Sequence, residues 1–330
     1  MGDSILRELL KEYEQKRFNA NLDLDNRKNK LFSENPRLQE IEKELNLSAI
    51  SIAKCILSVK DKDTIQTLND KIDSLKKERN DILNSLHLDN SYLEPIYECP
   101  ICKDTGYITK DYNTTMCNCL KQRLFNIAYN KSNIGNIKKE NFSNFNINLY
   151  SDEVNPNKYN SNISPKQNIQ IIKNIALSFI KNFDNPDEKN LLFTGNTGLG
   201  KTFLTNCIAC EILKKGKTVL YQTSSNMLDM IIDYRFNKNN ITKKIYDSLS
   251  DVDLLIIDDL GTETINSMKL TELFNILNNR LLNQNKTIIS TNLNLHNILK
   301  NYDERIFSRI IGYYNACKFF GDDIRIKSKL

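Results

Sequence analysis

The 330-residue chain has no long uninterrupted hydrophobic run. Its longest apolar stretch, residues 47–59, is interrupted by Ser48, Ser51 and Lys54 and is far shorter than the roughly 20 residues that span a bilayer. The N-terminus also lacks the basic segment followed by an apolar segment that marks a secretion signal. These absences predict a soluble, cytoplasmic protein that makes no membrane contact.

The eight cysteines are unevenly distributed, and four of them fall within a short segment. Because disulfides are rare in a reducing compartment, such a group favours a metal site. Cys99, Cys102, Cys117 and Cys119 supply the four thiolates of a closed tetrahedral zinc site. A reduced, metal-free loop is the alternative, and replacement of one cysteine by His87 is a further one.

The net charge of +5 is not spread evenly along the chain. Residues 1–98 hold 16 Lys and Arg against 19 Asp and Glu, residues 99–140 hold 7 against 3, and residues 141–330 hold 23 against 19. The positive excess therefore begins where the cysteines cluster. It permits contact with nucleic acid, but an ordinary solvated surface accounts for it equally well.

The N-terminal part of the chain has a helical pattern. Apolar residues recur at alternating spacings of three and four in residues 38–59 and again in residues 65–86, with a charged break between the two runs. This pattern predicts an antiparallel helical hairpin, with residues 4–18 as a third helix. We expect residues 1–95 to form a helical, partner-binding domain, followed by a zinc-binding segment at 96–135 and a docked linker at 136–165.

Residues 166–330 alternate between short apolar runs and helical patterns, which predicts an α/β fold with a parallel sheet flanked by helices. The predicted strands are Asn190–Phe193, Thr218–Tyr221, Val252–Ile257 and Thr287–Ser290. The predicted helices between them are Thr202–Lys215, Asn226–Arg235 and Ser267–Asn283.

A phosphate-binding loop follows the first of these strands and opens a helix. The chain holds only 10 glycines, yet three of them fall in this loop, which fits the pattern G-x-x-x-x-G-K-[ST]. Small residues let successive backbone N–H groups surround a phosphate, and the helix N-terminus adds its positive end. The pattern predicts ATP binding through Gly195, Asn196, Thr197, Gly198, Leu199, Gly200, Lys201 and Thr202.

Two acids end the third predicted strand, at the sheet edge where parallel α/β folds bind ligands. We expect Asp258 to share a Mg²⁺ ion with the Thr202 hydroxyl, while Lys201 reaches the terminal phosphates. Asp259 is the candidate for orienting or deprotonating the attacking water, with Glu263 as the fallback base. Because aspartate is shorter than the glutamate often found there, slow hydrolysis is expected.

The fourth strand and a later helix add polar candidates. Asn292 follows its strand, so we expect it near the γ-phosphate or the attacking water. Arg305 and Arg309 lie four residues apart on one helix face, a spacing suited to presenting an arginine to a neighbouring nucleotide. On spacing alone, a surface ion pair with Asp303 or Glu304 is the simpler interpretation.

The phosphate loop, the run from Leu254 to Glu263, the Ser290-Thr291-Asn292 run and the run from Glu304 to Arg309 occur in one order. Together they resemble the AAA+ ATPases of the DnaC/DnaI type, which load the replicative helicase onto DNA. The Cys-Pro-x-Cys and Cys-x-Cys segment before them fits bacterial and phage members.

This resemblance implies that Asn292 is the first sensor, Arg309 the arginine finger, Arg305 its neighbour and Arg325 the second sensor. It also implies ATP-dependent self-association, binding of a hexameric replicative helicase through the N-terminal unit, and contact with single-stranded DNA. Many AAA+ proteins continue into a helical lid, whereas this chain ends soon after Arg325. Rapid turnover and long-lived rings are therefore not expected.

Other functions fit parts of the same pattern. A transposon-type helper ATPase acting on a transposase–DNA complex shares the core but is not expected to carry the first 130 residues. A small-molecule P-loop kinase would need clustered arginines in a lid, for which Arg305 and Arg309 are the candidates. A zinc adaptor whose nucleotide site acts only as a switch is the non-enzymatic alternative.

Overall fold

The structure is a computed structural model that describes residues 2–57, 62–128, 139–237 and 240–327. The chain divides into two compact units. One comprises Leu6–Cys117, and the other comprises Asn118–Leu330 together with the first five residues. Among the described residues, no helix combines the length and apolar character that a membrane-spanning segment needs.

Three long helices make up most of the first unit: α1 (Gly2–Glu34), α2 (Pro36–Leu57) and α3 (Lys62–Ser85). α2 and α3 pair as the hairpin that the apolar spacing predicts. Arg37 donates from Nε and one terminal nitrogen to the two carboxylate oxygens of Glu78, at 2.8 and 3.0 Å. This two-point ion pair fixes the antiparallel register of the helices, although its exposure keeps its contribution to stability small.

Burial in these helices follows the predicted stripe in part. Leu38 and Ile41 of α2 are fully buried, and Leu75 of α3 is buried as well. At the end of α3, however, Leu83 enters the core whereas Leu86 is 37% exposed. The helix has ended at Ser85, so the periodicity no longer sets which side chain points inward. α1 is longer than the predicted helix at residues 4–18, continuing to Glu34.

The C-terminal part of this unit is a small antiparallel hairpin, β1 (Tyr107–Lys110) and β2 (Asn113–Met116). Its turn residues Asp111 and Tyr112 both have positive φ values, of 49° and 64°. Positive φ at both central positions is the conformation that a two-residue hairpin loop requires.

The second unit contains the parallel sheet. Its helices and strands are, in chain order, α4 (Asn118–Ala128), α5 (Pro156–Tyr159), α6 (Pro165–Lys181), β3 (Asn190–Thr194), α7 (Lys201–Lys214), β4 (Val219–Thr223), α8 (Ser224–Asn237), α9 (Asn240–Asp251), β5 (Leu254–Leu260), α10 (Ser267–Leu282), β6 (Lys286–Thr291), α11 (Leu295–Asn301), α12 (Glu304–Tyr313), β7 (Tyr314–Lys318) and α13 (Ile324–Lys327).

The five strands run parallel in the order β4-β5-β6-β3-β7. Parallel strands covered on both faces are buried along their whole length, and all the residues of β3 and β6 are indeed buried. One apolar cluster covers the face against α6 and α7, and a second covers the face against α8, α10 and α12. The predicted fold class, a parallel α/β sheet flanked by helices and preceded by a helical region, is confirmed.

Helix α4 lies along the outer edge of β4. Leu120 is fully buried, and Gln122 receives the Val219 N–H at 2.7 Å while its own amide donates to the Val219 carbonyl at 2.9 Å. A single side chain thus pairs with both backbone groups of one residue, as a neighbouring strand would. Since unpaired buried backbone groups are costly, this contact stabilises the sheet edge.

Candidate nucleotide and metal sites

The loop between β3 and α7 carries the three glycines of the phosphate-binding motif. Gly195, Gly198 and Gly200 all have positive φ values, of 141°, 79° and 86°. Residues with a Cβ rarely adopt this conformation, so the glycines are required by the path of the loop. The loop ends on the first turn of α7, where backbone N–H groups and the helix dipole favour an anion.

Other segments pack tightly against the outside of this loop. A Cβ on Gly195 would lie 2.3 Å from the Phe319 carbonyl oxygen, and one on Gly198 would lie 2.2 Å from the Asp323 carboxyl carbon. Ile324 N–H donates to the Gly198 carbonyl at 2.9 Å. The phosphate loop is therefore held by the segment that follows β7.

The ammonium group of Lys201 lies inside the loop. It donates to the carbonyl oxygens of Gly195 and Asn196 at 2.6 and 2.8 Å, and to Asn292 Oδ1 at 2.8 Å. Burial lowers the pKa of Lys201 from its usual value, and the nearby charge of Arg325 lowers it further. The loop lysine, the amide at the end of β6 and the charge of α13 thus converge on one place.

Asp258 is the last of five consecutive buried residues in β5 and is only 4% exposed. Thr202 Oγ1 donates to its Oδ2 at 3.3 Å, so the residues predicted to share a Mg²⁺ ion are adjacent. Tyr221 also donates to Oδ2, and Ser290 donates to Oδ1. A carboxylate and a hydroxyl are oxygen ligands of the kind Mg²⁺ prefers, and the two side chains would hold the ion beside the phosphate loop.

The next residue, Asp259, has a left-handed backbone at φ 55°, where β5 departs from regular pairing with β6. Its N–H donates to Ser290 Oγ at 3.2 Å. Burial and the charge of Asp258 raise the pKa of Asp259. The left-handed backbone at Asp259 therefore interrupts the regular geometry of β5 directly beside Asp258.

Glu263 is buried and both of its carboxylate oxygens have donors. Gly261 N–H donates to Oε2 at 3.0 Å, and the Tyr302 hydroxyl donates to Oε1. These contacts fix the turn after β5. Of the two acids considered as a base, Asp259 is therefore the one whose carboxylate is less constrained.

Arg305 and Arg309 share one face of α12, as their spacing predicts. Their guanidinium carbons lie 5.0 and 5.7 Å from the ring centre of Phe274 on α10. Arg309 also donates to Asn278 Oδ1 at 3.1 Å, and Arg305 forms an ion pair with Asp303 at 2.7 Å. The structure brings the two arginines together with α10, and it places Arg325 near Lys201.

The four clustered cysteines converge as the spacing predicts. Their sulfur atoms all lie within 4.8 Å of one another, and those of Cys99 and Cys117 are 3.9 Å apart. Thiolates bound to one tetrahedral zinc ion at about 2.3 Å would be separated by about 3.8 Å. Cys102 and Cys119 complete the group, and among the described residues His87 is not part of it. The donor set fits zinc.

Residues 149–329 match the family model of IstB-like ATP-binding proteins, and this match covers more than half of the chain. The chain belongs to the IstB-like ATP-binding family. The phosphate loop, the paired acids of β5 and the C-terminal arginines of this IstB-like chain all fall within the matched segment.

Two curated relatives are bacterial replication proteins. The IstB-like chain is 29% identical over 135 residues to the replicative helicase loader DnaC of Escherichia coli strain K12. This alignment covers 41% of the chain and 55% of DnaC. The chain is 33% identical over 203 residues to the initiator DnaA of Buchnera aphidicola subsp. Baizongia pistaciae, covering 58% of this chain and 42% of DnaA. The chain spans about half the length of the curated relatives it matches. The predicted resemblance to loaders of the DnaC/DnaI type is confirmed.

Solved structures also align with part of the chain. AMPPCP-bound DnaA from Aquifex aeolicus aligns with a TM-score of 0.44 at 22% identity, covering 54% of this chain and 56% of that one. A DnaC helicase loader aligns with a TM-score of 0.43 at 22% identity, covering 51% and 97%. A DnaI structure aligns with a TM-score of 0.41 at 22% identity, covering 48% and 84%.

Sequence reasoning missed the side chains that hold the site in place. Tyr221 and Ser290 contact Asp258, while Tyr150 donates to the Leu199 carbonyl at 2.9 Å. Tyr221 and Ser290 both lie in predicted strands, where the sequence alone indicates only residues of the hydrophobic core. A polar residue in a run of apolar strand residues was the available signal, because a buried hydroxyl needs a partner.

Proposed function

We propose that the chain is an ATP-dependent loader of the replicative DNA helicase in the initiation of DNA replication. In this proposal Thr202 and Asp258 hold Mg²⁺, Lys201 binds the phosphates, Asp259 activates water and Asn292 senses the γ-phosphate. Bound Mg²⁺ supplies charge neutralisation at the phosphates. Hydrolysis is slow, and Arg309 acts on the nucleotide of a neighbouring copy, with Arg305 beside it and Arg325 on its own nucleotide.

The observation that supports ATP binding most strongly is the convergence of Lys201, Asn292, Thr202 and Asp258 at one edge of the sheet. Lys201 and Thr202 come from the first turn of α7, Asp258 comes from β5, and Asn292 follows β6, so three separate segments of the chain meet at this edge. The similarity to DnaC supports helicase loading as the use of that site.

Nucleotide binding is tested with Lys201→Ala and with Lys214→Ala as the matched control. Both lysines lie on α7, but Lys214 is exposed and pairs with Glu211 at the far end of the helix. We expect Lys201→Ala to abolish binding of a fluorescent ATP analogue and hydrolysis of ATP, while Lys214→Ala retains both. Normal binding by Lys201→Ala would show that the assignment of the loop is wrong.

Helicase binding is assigned to the helical unit, residues 1–95. Exposed apolar side chains on α1 and α2 are suited to partner contact: Phe18 and Leu22 are 61% and 47% exposed, and Leu47 and Ile50 are 63% and 53% exposed. Co-purification of the full chain with the cell's hexameric replicative helicase tests the assignment.

We expect the double variants Phe18→Ser/Leu22→Ser or Leu47→Ser/Ile50→Ser to reduce the amount of helicase recovered. Leu282→Ser, which replaces a leucine on α10 that is 73% exposed, is the control and should leave recovery unchanged. If the unmodified chain does not retain the helicase, the loader proposal fails.

The match to IstB-like ATP-binding proteins also supports a second candidate function, that of a transposon-type helper ATPase acting on a transposase–DNA complex. Retention of a transposase–DNA complex in place of the helicase would favour it. Under the loader proposal, single-stranded DNA binds the protein and self-association accompanies ATP binding. Both are measured by adding DNA or ATP in sedimentation experiments with the full chain.

We also propose that Cys99, Cys102, Cys117 and Cys119 hold a structural Zn²⁺ ion. Thiol modification should release about one zinc ion per chain, detected with a chromogenic chelator, and Cys102→Ser should lower the zinc content. Cys210→Ser changes a cysteine of α7 outside the group and should leave zinc content unchanged. Purification of the unmodified chain without zinc would contradict the assignment.

A further inference from the structure

Asp258 lies on β5, an interior strand of the sheet that has a neighbouring strand on each side. β5 is hydrogen-bonded to β4 on one side and to β6 on the other. Tyr221 of β4 is the register partner of Ile256, two residues before Asp258. Because alternate strand residues share a face, Tyr221, Ile256 and Asp258 all face the side of the sheet that carries α7.

This placement lets each neighbouring strand hold one oxygen of the carboxylate. From β4, the Tyr221 hydroxyl donates to Oδ2, and from β6, the Ser290 hydroxyl donates to Oδ1. Thr202 Oγ1 approaches the same Oδ2 at 3.3 Å. The carboxylate therefore has one orientation, in which Oδ2 lies toward α7 and the phosphate loop.

The hydroxyl group of Tyr221 indicates a role for this residue beyond packing. Its ring is 1% exposed in the apolar cluster, where phenylalanine would fill the same space. A buried hydroxyl is costly unless it is hydrogen-bonded, and here it meets a carboxylate. A carboxylate can only accept hydrogen bonds, so the Tyr221 phenol is the donor in this contact.

We propose that Tyr221 is a positioning residue that holds Asp258 in the orientation needed to bind the divalent cation of a Mg²⁺–nucleoside triphosphate together with Thr202. The inference rests on the nucleotide-binding part of the proposed function. It assigns a role outside the family's sequence motifs to a side chain of β4. Residues that orient a metal ligand typically change metal affinity by about 10–100-fold when they are replaced.

The test is Tyr221→Phe, which removes one oxygen atom and keeps the ring. Tyr314→Phe is the matched control, because Tyr314 is also buried but lies on β7, at the opposite edge of the sheet. Binding of a fluorescent ATP analogue is measured in EDTA and over a Mg²⁺ titration, and ATP hydrolysis is measured over the same titration. Thermal melting of each variant verifies that the protein is folded.

For Tyr221→Phe we expect the half-saturating Mg²⁺ concentration to rise about tenfold, within the range for such residues. Binding in EDTA should be unchanged, and saturating Mg²⁺ should restore most of the hydrolysis rate. Tyr314→Phe should show the Mg²⁺ dependence of the unmodified protein.

Two results would overturn the inference: an unchanged Mg²⁺ requirement in Tyr221→Phe, or an equal loss of binding with and without Mg²⁺, which indicates general distortion. The proposed function fails in a different way. In that case the unmodified protein itself would bind no nucleotide or would not respond to Mg²⁺.

Discussion

The packing of the C-terminal segment against the phosphate loop gives a quantitative prediction for Gly198→Ala. A Cβ at this position would lie 2.2 Å from the Asp323 carboxyl carbon, and the backbone has φ 79°. The variant therefore carries two penalties. An L-residue in the left-handed region costs roughly 1–2 kcal/mol, and forcing apart a packed contact costs about 1–3 kcal/mol.

The chain offers a control that separates these penalties. Gly216, after α7, has nearly the same φ of 75°, but a Cβ there would meet nothing within 4 Å. Gly216→Ala should therefore show the backbone penalty alone. One kcal/mol shifts the melting temperature of a unit of this size by about 2–4 °C, so we expect a decrease of about 2–8 °C for Gly216→Ala and about 4–20 °C for Gly198→Ala.

Melting curves and binding of a fluorescent ATP analogue measure the outcome. Gly198→Ala should bind nucleotide weakly, because an L-residue at φ 79° strains the loop and the Asp323 side chain must also shift, whereas Gly216→Ala should bind normally. Adding Asp323→Ala to the Gly198→Ala variant removes the clashing carboxylate and should recover part of the stability. Equal melting shifts for the two glycine variants, with normal nucleotide binding by both, would refute the described packing.

Three other variants test separate parts of the structure. If Arg309 acts on the nucleotide of a neighbouring copy, Arg309→Ala should leave ATP binding intact and lower the rate of hydrolysis by about 10³-fold or more. Arg305→Ala should have a smaller effect. Equal hydrolysis rates for Arg309→Ala and the unmodified protein would contradict this role. Gln122→Ala should destabilise the second unit by about 1–3 kcal/mol, since both backbone groups of Val219 lose their partner; an unchanged melting temperature would count against that contact. Arg280→Met should lower the melting temperature strongly or prevent folding, because the fully buried guanidinium donates to several carbonyl oxygens; retention of the original stability would contradict the described network.

The four predicted strands all exist in the structure, because a strand buried on both faces is a continuous apolar run that composition alone can reveal. The fifth strand, Tyr314–Lys318, was missed. It lies at the sheet edge, only Tyr314 and Cys317 of its residues are buried, and its Asn and Lys residues are types common in loops. An edge strand is fixed by its neighbour, here β3, and that neighbour is more than 100 residues away in the sequence.

The candidate site was predictable to the extent that each residue belongs to a local motif. The phosphate loop and Asp258 follow from spacing and strand position, and the structure brings them together. Tyr221 and Ser290 could not be found in this way, because their role depends on the lateral register of three strands. Arg280 shows the same limit: this fully buried arginine lies in the last turn of α10, where the sequence alone predicts a solvent-exposed charge.

The side chain of Gln122 occupies the place of a missing sixth strand beside β4, so the sheet ends there without open backbone groups at Val219. An uncovered sheet edge recruits strands from other molecules and leads to aggregation. A fragment of this protein that begins at Lys139 would lose α4 and uncover that edge. Preparations of the isolated ATP-binding region should therefore begin before Asn118 if they are to remain monodisperse.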